Sequence, residues 1–572
     1  MSNSSFKLAL LTRLELQQSL SSEVIEFGHY LIVKDPNLSD KAFIACLACM
    51  KAFEEGRTAI DSNYLQDFLV EVNLNDFSEL LLDEYLYEEK IIGKPGDYNL
   101  FIYSDGFLYI HTFYEYEVQL SDWILKKAAQ SRSLNERQIE KLNQFYPEQN
   151  EEEIDHQKLA VKLSLLKPLV FLTGGPGTGK TYTVQKIIEI HKSIFGKEYR
   201  IRLAAPTGKA AQRINETLGE IDDDKLEAQT IHRLLRARTG FDSFKYNEDR
   251  PLAVDLMIVD EASMMDLSLW VALINALPEH AKLIVVGDNN QLASVEAGAV
   301  LNDICKPSDN TFSTELAANL NFKVASDSNN AINDCIITLT KSKRFGEETG
   351  IQALAEAIRT EQAELAIQLL EDEERDDIKR VDNSIGTLDT LIHEYAIQPF
   401  FEKESNISLN AFSILCALKK GPSGSKSLND KIERALKTGL NHSLSREWYE
   451  NRKIIVTKNQ HVLGVQNGEL GIYKADHEQV KFNNNQVPVS RLQSYEPGYC
   501  ITIHKSQGSE YQQVLIVLPN KKNRVLTKEL LYTAVTRAGL SVLIVGDRQL
   551  IKETILTPTL RNSGLMNKLW GK

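Results

Sequence analysis

The stretch LVFLTGGPGTGKT, residues 169–181, decides the fold of this chain. Its first part is a short apolar run of the kind that forms a buried parallel strand, and apolar residues repeat at helical spacing after its last residue. Residues 174–181 match the pattern G-x-x-x-x-G-K-[ST] in the context that this pattern requires, after a strand and at the start of a helix. The sequence therefore predicts an α/β domain with a phosphate-binding loop.

The residue types of this loop suit a nucleoside triphosphate and its magnesium ion. Glycines allow successive backbone N–H groups to surround phosphate oxygens, and the helix N-terminus adds its positive end. Lys180 would neutralise the charge of the β- and γ-phosphates, and the hydroxyl of Thr181 would ligate Mg²⁺. A simple glycine-rich turn is the alternative, but a turn does not need all four fixed positions of the pattern. The predicted loop residues are Gly174, Gly175, Pro176, Gly177, Thr178, Gly179, Lys180 and Thr181.

Two carboxylates, Asp260 and Glu261, follow the apolar run at residues 256–259. The carboxyl ends of parallel strands meet at one edge of a sheet, so both side chains are expected beside the phosphate loop. Asp260 would hold magnesium through water, and Glu261 would orient and deprotonate the attacking water. An apolar run that ends in Asp-Glu is often only a solvated strand end, and it is the presence of the phosphate loop that favours the catalytic interpretation.

Seven short apolar runs predict buried parallel strands with helices between them, enough for two sheets. The predicted fold class is therefore α/β. Polar residues follow several of these runs, at the sheet edge where open α/β folds bind ligands. The runs are residues 169–172, 201–205, 256–259, 283–286, 413–416, 514–517 and 542–545.

The charge of the chain is unevenly distributed. The 572 residues carry a net charge of −14, which as an average argues against a nucleic-acid partner. Residues 1–125, however, hold 8 Lys and Arg against 21 Asp and Glu, whereas the remainder holds 57 against 58. The neutral remainder can carry local basic strips for DNA, and the acidic N-terminal part is expected to face a protein.

Composition excludes several classes of protein. Apolar residues make up 42% and charged residues 25%, as in ordinary folded domains. No apolar run approaches the roughly 18 residues of a membrane-spanning helix, and no signal-peptide pattern is present. Six dispersed cysteines do not make a disulfide framework. The chain is therefore expected in the cytoplasm.

Changes in residue pattern divide the chain into parts. Residues 1–90 have the period of amphipathic helices, residues 98–117 that of a β-hairpin, and short β-rich pieces near Asn467 and Gly468 predict a β insertion. The predicted domains are a partner-docking domain at 1–125, a first α/β domain at 126–340, a second at 341–447 with 496–572, and the insertion at 448–495.

Taken in order, the motifs of the chain resemble those of superfamily-1 helicases. Their residues are most similar to the corresponding motifs in the alpha subunits of exodeoxyribonuclease V, the RecD family. The similarity covers about residues 155–300 and 335–550. The N-terminal region is similar more loosely. The motifs are TGGPGTGKT (173–181), APTGKAA (205–211), VGDNNQLASVEAGAVL (286–301), TIHKSQGSE (502–510) and YTAVTRA (532–538).

The resemblance implies two RecA-like P-loop NTPase domains with ATP and Mg²⁺ in the cleft between them. It also implies an SH3-like fold for the insertion and a small α+β N-terminal domain. The implied activity is an ATP-dependent helicase that moves 5′ to 3′ along single-stranded DNA. Its implied partners are unwinding duplex DNA and the beta and gamma subunits of a RecBCD-type complex, which acts on the nucleoid of bacteria in double-strand break repair and recombination.

The resemblance also implies nucleotide roles outside the loop. Gln157 is similar to a glutamine that reads adenine, with an exposed helix glutamine as the alternative. Gln291 resembles a γ-phosphate sensor. Arg344 and Arg537 resemble arginine fingers of the second domain, for which surface ion pairs are the alternative. The residues expected near the ribose and phosphates are Gly508 and Glu510.

A strip of hydroxyl, ammonium and imidazole groups resembles the surface on which such helicases hold single-stranded DNA. These groups suit phosphate contact without base reading. For the two histidines a purely structural role is the alternative. The strip consists of Thr207, Lys209, Thr230 and His232 in the first domain and Thr502, His504, Lys505 and Ser506 in the second.

Two other functions stay open at this stage. One is a free-standing helicase of the same subgroup, although such helicases usually carry a longer N-terminal extension. The other is a scaffold or regulatory ATPase that never moves on DNA, against which the arginine and DNA-strip residues argue. Stimulation of ATP hydrolysis by single-stranded DNA would separate motor from switch, and co-purification with two large partners would separate subunit from free-standing helicase.

Overall fold

The chain forms an N-terminal domain, two α/β domains and a small antiparallel β module. The structure is a computed structural model, and it describes residues 3–146, 155–218, 226–238, 243–293, 297–308, 310–320, 325–326, 330–340, 349–402, 409–445, 447–483, 485–559 and 562–571.

The N-terminal domain packs helices against a small mixed sheet, with Phe43 and Ile44 fully buried in its core. Ser21, Ser39 and Asp61 start three of its helices, because each side chain accepts a hydrogen bond from a backbone amide of the first turn. Its elements are α1 (Asn3–Leu16), α2 (Ser22–Lys34), α3 (Asp40–Glu54), β1 (Ala59–Ile60), α4 (Ser62–Glu71), β2 (Ile92–Gly93), β3 (Phe101–Ser104) and β4 (Phe107–Ile110).

The predicted hairpin exists but is shorter than predicted. Asp105 (φ 52°) and Gly106 (φ 80°) form the tight turn between β3 and β4, both with positive φ as a two-residue hairpin turn requires. Residues 111–117, predicted as strand, instead begin the helix α5 (His111–Ala128). Buried residues recur in α5 every three or four positions, and this spacing outweighs the strand preference of its aromatic residues.

The first α/β domain has a six-stranded, wholly parallel sheet. Its elements are α6 (Glu136–Phe145), α7 (His156–Leu166), β5 (Leu169–Gly174), α8 (Lys180–Phe195), β6 (Ile201–Ala205), α9 (Gly208–Leu218), β7 (Ala228–Thr230), α10 (Ile231–Leu235), β8 (Leu256–Val259), α11 (Leu267–Ala276), β9 (Lys282–Gly287), α12 (Val300–Cys305), β10 (Phe312–Ser313), α13 (Thr314–Leu320), β11 (Ala325–Ser326) and β12 (Ile336–Leu339). The order across the sheet is β12-β5-β9-β8-β6-β7. Leu169 and Phe171 face one core and Val170 and Leu172 another, which is why this strand is a continuous apolar run.

The second α/β domain has a five-stranded parallel sheet and is interrupted by the β module. Its elements, with the module strands β15 to β19 in their place, are α14 (Gly350–Arg359), α15 (Ala363–Leu370), β13 (Ile378–Val381), α16 (Ile385–Ile392), a π-helical turn (His393–Ile397), α17 (Gln398–Glu402), β14 (Phe412–Cys416), α18 (Ser425–Gly439), β15 (Lys453–Val456), β16 (Leu470–Lys474), β17 (Gln479–Lys481), β18 (Gln486–Pro488), β19 (Tyr495–Pro497), β20 (Cys500–Thr502), β21 (Tyr511–Val517), α19 (Lys528–Val535), β22 (Ala538–Val545) and α20 (Arg548–Ile555). The parallel sheet has the order β13-β22-β21-β14-β20, and the antiparallel module β18-β17-β16-β15-β19.

All seven predicted buried strands are present, and the α/β class with two domains is confirmed. In the two large parallel sheets, the prediction missed β7, β12, β13 and β20, which are their edge strands. Edge strands are short and lie beside a neighbour on one side only, so a continuous apolar run is a weaker signal for them.

The predicted domain boundaries need two corrections. The boundary at residue 125 falls inside α5, whose Leu120 and Ile124 belong to a core of the first α/β domain. Residues 562–571, assigned to the second domain, cross to that same core, where Leu565 and Leu569 are buried on the helix α21 (Leu565–Trp570). We call residues 562–571 the strap. The apolar side chains of the strap predict that it is buried, but they do not indicate which domain it packs against.

A buried ion pair fastens the strap to the N-terminal domain. Lys568 Nζ lies 3.1 Å from Glu117 Oε2, and the Glu117 side chain is only 1% exposed. The Thr58 hydroxyl donates to the other Glu117 oxygen at 2.6 Å, and Lys568 donates to the Tyr109 hydroxyl at 3.1 Å. Nearby, Arg57 donates to Asn562 Oδ1 at 2.7 Å. The strap therefore joins the N-terminal domain to the first α/β domain.

Replacing Lys568 with Met should loosen the strap, because Glu117 would remain buried without its cation. Loss of one partner of a buried pair costs about 3 kcal/mol, which corresponds to a roughly hundredfold faster hydrogen exchange of the α21 amides. The matched control is Lys126→Met, since Lys126 and Glu279 form a pair in which both side chains are more than half exposed. Hydrogen-exchange mass spectrometry measures both variants, and equal protection of α21 in the two would contradict the role of the pair.

Candidate active site

The glycine-rich loop has the conformation that the sequence pattern requires. It leaves β5 at Gly174 and enters α8 at Lys180, and Gly179 before the helix has a left-handed backbone with φ 86°. This positive φ favours glycine, and a Cβ on Gly179 would in addition require the end of the Gln157 side chain to move. The loop is thus held between β5, α8 and the start of α7.

Three polar side chains are bonded within or against the loop. Lys180 Nζ donates to the carbonyls of Gly174 (2.5 Å) and Gly175 (2.9 Å), and the Thr178 hydroxyl also donates to Gly175 (2.8 Å). Gln157, buried at the start of α7, donates through Nε2 to the Thr178 carbonyl at 2.9 Å. These bonds fix the loop carbonyls and hold the ammonium of Lys180 at the loop.

Asp260 and Glu261 lie at the carboxyl end of β8, as predicted. The Glu261 amide donates to Asp260 Oδ1 at 2.7 Å, and Glu261 has a left-handed backbone with φ 53°, which is rare for a residue with a side chain. The loss of water around Asp260 and the neighbouring carboxylate of Glu261 raise the pKa of Asp260 to about 6, while Lys180 acts in the opposite direction. The carboxylate charge is therefore incompletely balanced by the protein.

A cavity of about 300 Å³ brings these groups together between the two α/β domains. The first domain contributes the loop, the two carboxylates, Gln291 and one side of α9, and the second contributes Glu510 and Arg537. A hydroxyl and a carboxylate in one cavity are hard oxygen donors of the kind that suits Mg²⁺, so Thr181 and Asp260 fit a magnesium ion. The lining residues are Pro176, Gly177, Gly179, Lys180, Thr181, Ala210, Arg213, Ile214, Thr217, Asp260, Glu261, Gln291, Glu510 and Arg537.

Arg537 bonds across the cleft to the first domain. Its Nη2 donates to Gln291 Oε1 at 2.9 Å, its Nη1 to the Ser509 carbonyl at 3.1 Å and its Nε to the Thr533 carbonyl at 3.3 Å. The side chain is buried, and this burial lowers the pKa of Arg537, against which the negative charge of Glu261 acts. Arg537 and Gln291 are thus in contact in the cleft, as expected for residues that act on one ligand.

A second set of bonds crosses the cleft beside Arg537. The Tyr532 hydroxyl of the second domain donates to Asp288 Oδ2 of the first at 3.2 Å, and within the first domain Gln291 donates to the same oxygen at 3.0 Å. The amide of Leu292 donates to the Thr533 hydroxyl at 2.9 Å. Asp288 and Tyr532 belong to quoted motifs but were not predicted as site residues, because the motifs do not show that they meet.

Of the predicted DNA strip, the first-domain residues lie on α9 and α10 or directly before them. Lys209 donates to the Ser509 hydroxyl of the second domain, and burial lowers the pKa of Lys209 to about 8. Thr207 and Thr230 accept backbone bonds at the starts of these helices, at 3.2 Å each, and both remain half-buried. His232 is exposed, with its ring centroid 5.9 Å from that of Phe244. Contact with DNA stays a prediction for these residues.

The second-domain residues of the strip differ in accessibility. Thr502, His504 and Lys505 are half-buried, and Lys505 pairs with Glu496 at 2.9 Å. Ser506 needs a correction: it is wholly buried, and its hydroxyl donates to the Ile503 carbonyl at 2.7 Å. A hydroxyl committed to a local turn is not available to a DNA strand in this conformation. The predicted arginine finger Arg344 lies outside the described residues.

Comparison with known proteins gives the site a family context. Residues 157–297 match the AAA domain model, and residues 497–545 match the UvrD-like helicase C-terminal domain. The chain is similar to RecBCD enzyme subunit RecD of Haemophilus influenzae, with 34% identity over 512 residues and 80% of each chain covered. It is also similar to the ATP-dependent RecD2 DNA helicase of Deinococcus radiodurans, with 30% identity over 381 residues, 65% of this chain and 46% of that protein.

Among solved structures, the chain is similar to Bacteroides Pif1 bound to ssDNA, with 19% identity and a TM-score of 0.39 over 69% of this chain and 93% of that one. In the part of the chain that the structure describes, no helix is long and apolar enough to span a membrane.

Proposed function

We propose a function on the premise that this chain belongs to the RecD family of RecBCD enzyme subunits. The chain is an ATP-dependent DNA helicase, and it works as the RecD component of a RecBCD enzyme. The observation that carries this function is the cavity between the two α/β domains. There the phosphate loop and the carboxylates of one domain face an arginine of the other.

In the proposed mechanism each predicted site residue has one role. The loop amides and Lys180 hold the β- and γ-phosphates of ATP. Glu261 accepts a proton from the attacking water, and Gln291 and Arg537 contact the γ-phosphate as charge develops on it. Thr181 and Asp260 would hold Mg²⁺, which when bound supplies charge neutralisation for the phosphates. Gln157 would read adenine, and Arg344 would act as a second finger.

The placement of Arg537 supports coupling of hydrolysis to movement. Its bond to Gln291 spans the two domains, so a change at the γ-phosphate changes the contact that sets their separation. We propose that this cycle moves the chain 5′ to 3′ along single-stranded DNA on the strip described above, without Ser506. We further propose that the domains are RecA-like, and that the five-stranded β module is the SH3-like insertion of the family.

Two variants test the ATPase assignment. Lys180→Ala should abolish hydrolysis stimulated by single-stranded DNA and weaken nucleotide binding, because the loop loses its cation. Glu261→Gln should keep nucleotide binding and slow hydrolysis by about 10² to 10⁴, because the shape is kept and only the base is lost. The matched control is Lys186→Ala on the same helix, whose ammonium pairs with Glu189 at 2.7 Å.

Equal hydrolysis by Lys180→Ala and the parent would end the ATPase assignment. A parent whose hydrolysis ignores single-stranded DNA would favour a regulatory ATPase. Strand displacement on duplexes with a 5′ or a 3′ tail then tests the polarity, for which the 5′-tailed substrate should be unwound.

Arg537→Lys should reduce turnover almost as far as Arg537→Ala, by roughly a thousandfold, while nucleotide affinity changes less. The guanidinium donates to three oxygens on separate residues, and one ammonium cannot reproduce that planar fork. The matched control is Arg548→Lys, since Arg548 forms an exposed pair with Glu371. Near-normal turnover of Arg537→Lys would make Arg537 a structural residue of the cleft and not a finger.

We also propose that the N-terminal domain docks the beta and gamma subunits. The domain is strongly acidic, and Tyr30 and Val33 project from one face of α2 with exposures of 45% and 80%. Exposed apolar side chains in an acidic surrounding suit a partner with a mixed apolar and basic surface. Truncation at residue 125 is not a clean test, because it would remove Leu120 and Ile124 from a core of the first α/β domain.

The double variant Tyr30→Ser/Val33→Ser should reduce co-purification with the other subunits while leaving DNA-stimulated ATP hydrolysis unchanged. The matched control is Leu556→Ser, which removes an apolar side chain of 56% exposure after the last helix of the second α/β domain. Loss of assembly in Leu556→Ser alone would move the docking surface to the α/β domains. Absence of any partner in the parent would favour a free-standing helicase.

A further inference from the structure

Helix α9 forms one wall of the nucleotide cavity. Ala210, Arg213, Ile214 and Thr217 all line the cavity, and their spacing of three and four residues places them on one face of the helix. Three of these four side chains are small or uncharged. Arg213 is therefore the one charged group that this wall presents to the cavity, and the sequence motifs give it no role.

Arg213 reaches across the cleft to the second α/β domain. Its guanidinium pairs with the Glu510 carboxylate, and the side chains are 40% and 27% exposed. Glu510 follows Gly508, where the chain has a φ of 71° and passes close to α9: a Cβ at Gly508 would lie 3.9 Å from the Ala210 amide nitrogen. The loop of residues 508–510 thus rests on α9, and both charges face the cavity.

The charge of Arg213 affects the pKa of three other charged groups at or beside the cavity. Burial and Glu261 raise the pKa of Asp260, and the charge of Arg213 acts against this rise. Burial lowers the pKa of Arg537 and Lys209, and Arg213 adds to this lowering as a like charge. The cavity therefore receives cations from three directions, with Lys180 from the loop, Arg537 from the second domain and Arg213 from α9. A half-exposed arginine in such a cavity is suited to bind phosphate oxygens through two parallel N–H bonds.

We propose that Arg213 is a further nucleotide-binding residue, which holds anionic oxygens of the nucleoside triphosphate and for which Glu510 competes. Binding of the nucleotide then transfers Arg213 from Glu510 to phosphate, and of these two side-chain contacts between α9 and the loop of residues 508–510 it leaves the one between Lys209 and Ser509. The proposal rests on the proposed ATPase function and adds to it a residue and an exchange of partners.

The test measures the Kd of a fluorescent ADP and of a fluorescent non-hydrolysable ATP analogue, with Mg²⁺ and without DNA. Arg213→Ala should raise the Kd of the ATP analogue about ten- to a hundredfold, the effect of one charge-assisted hydrogen-bonded contact, and Arg213→Lys should raise it less. The matched control is Gln212→Ala, the neighbouring residue of α9, whose side chain bonds only along the helix to Glu216 in this structure. Its Kd should equal that of the parent.

Glu510→Gln separates competition from a purely structural contact. If Glu510 competes with phosphate, this variant should lower the Kd of the ATP analogue several-fold, and it should have no such effect when combined with Arg213→Ala. An unchanged Kd in Arg213→Ala, with or without a lower melting temperature, overturns the proposal. A Glu510→Gln variant that binds the ATP analogue more weakly overturns the competition. A parent that binds no nucleotide refutes the proposed function itself, so the two failures are distinguishable.

Discussion

The guanidinium of Arg537 is the constraint on which the cleft depends. A buried cation must be surrounded by acceptors, and those of Arg537 come from both α/β domains, with Gln291 on one side and the Ser509 and Thr533 carbonyls on the other. The two sheets are therefore placed so that one side chain is satisfied. The phosphate loop, the carboxylates and the loop of residues 508–510 then surround a common volume.

Features that depend on neighbouring residues could be predicted from the sequence. The central strands are continuous apolar runs because each lies between two cores, and the phosphate loop has glycines where its backbone takes positive φ, at Gly177 and Gly179. The tight turn at Asp105 and Gly106 is equally local. In each case the physical cause lies within about twenty residues of the signal, or in the burial of the strand itself.

Features that depend on distant residues could not be predicted in the same way. Arg213 and Glu510 are 297 positions apart, and an arginine on an amphipathic helix is usually solvated. The aromatic residues of 111–117 predict a strand, although the burial of these residues follows the helical period. The burial of Ser506 reflects a bond to Ile503 that the motif does not reveal. Such outcomes are decided by packing and by which oxygen a donor can reach.

Helix α9 carries a residue of the predicted DNA strip and a residue of the nucleotide cavity on one rigid element. Lys209, expected to meet DNA, and Arg213, which lines the nucleotide cavity, are four residues apart and therefore about one helical turn apart. Both side chains hold the same short loop of the second α/β domain, through Ser509 and Glu510. A DNA contact at Lys209 would therefore lie only about 6 Å along the helix axis from the wall of the nucleotide cavity.

The position of the strap at residues 562–571 means that one core is completed late in synthesis. Leu565 and Leu569 complete a core whose other members, among them Leu120 and Val300, are synthesised hundreds of residues earlier. At elongation rates of about 5 to 20 residues per second, the strap is synthesised roughly 10 to 45 s after β12. Until then α5 and α12 lack the contacts that Leu565 and Leu569 make with this core. During that interval the part of this core that the strap covers is exposed, and the N-terminal domain lacks its contacts with the strap.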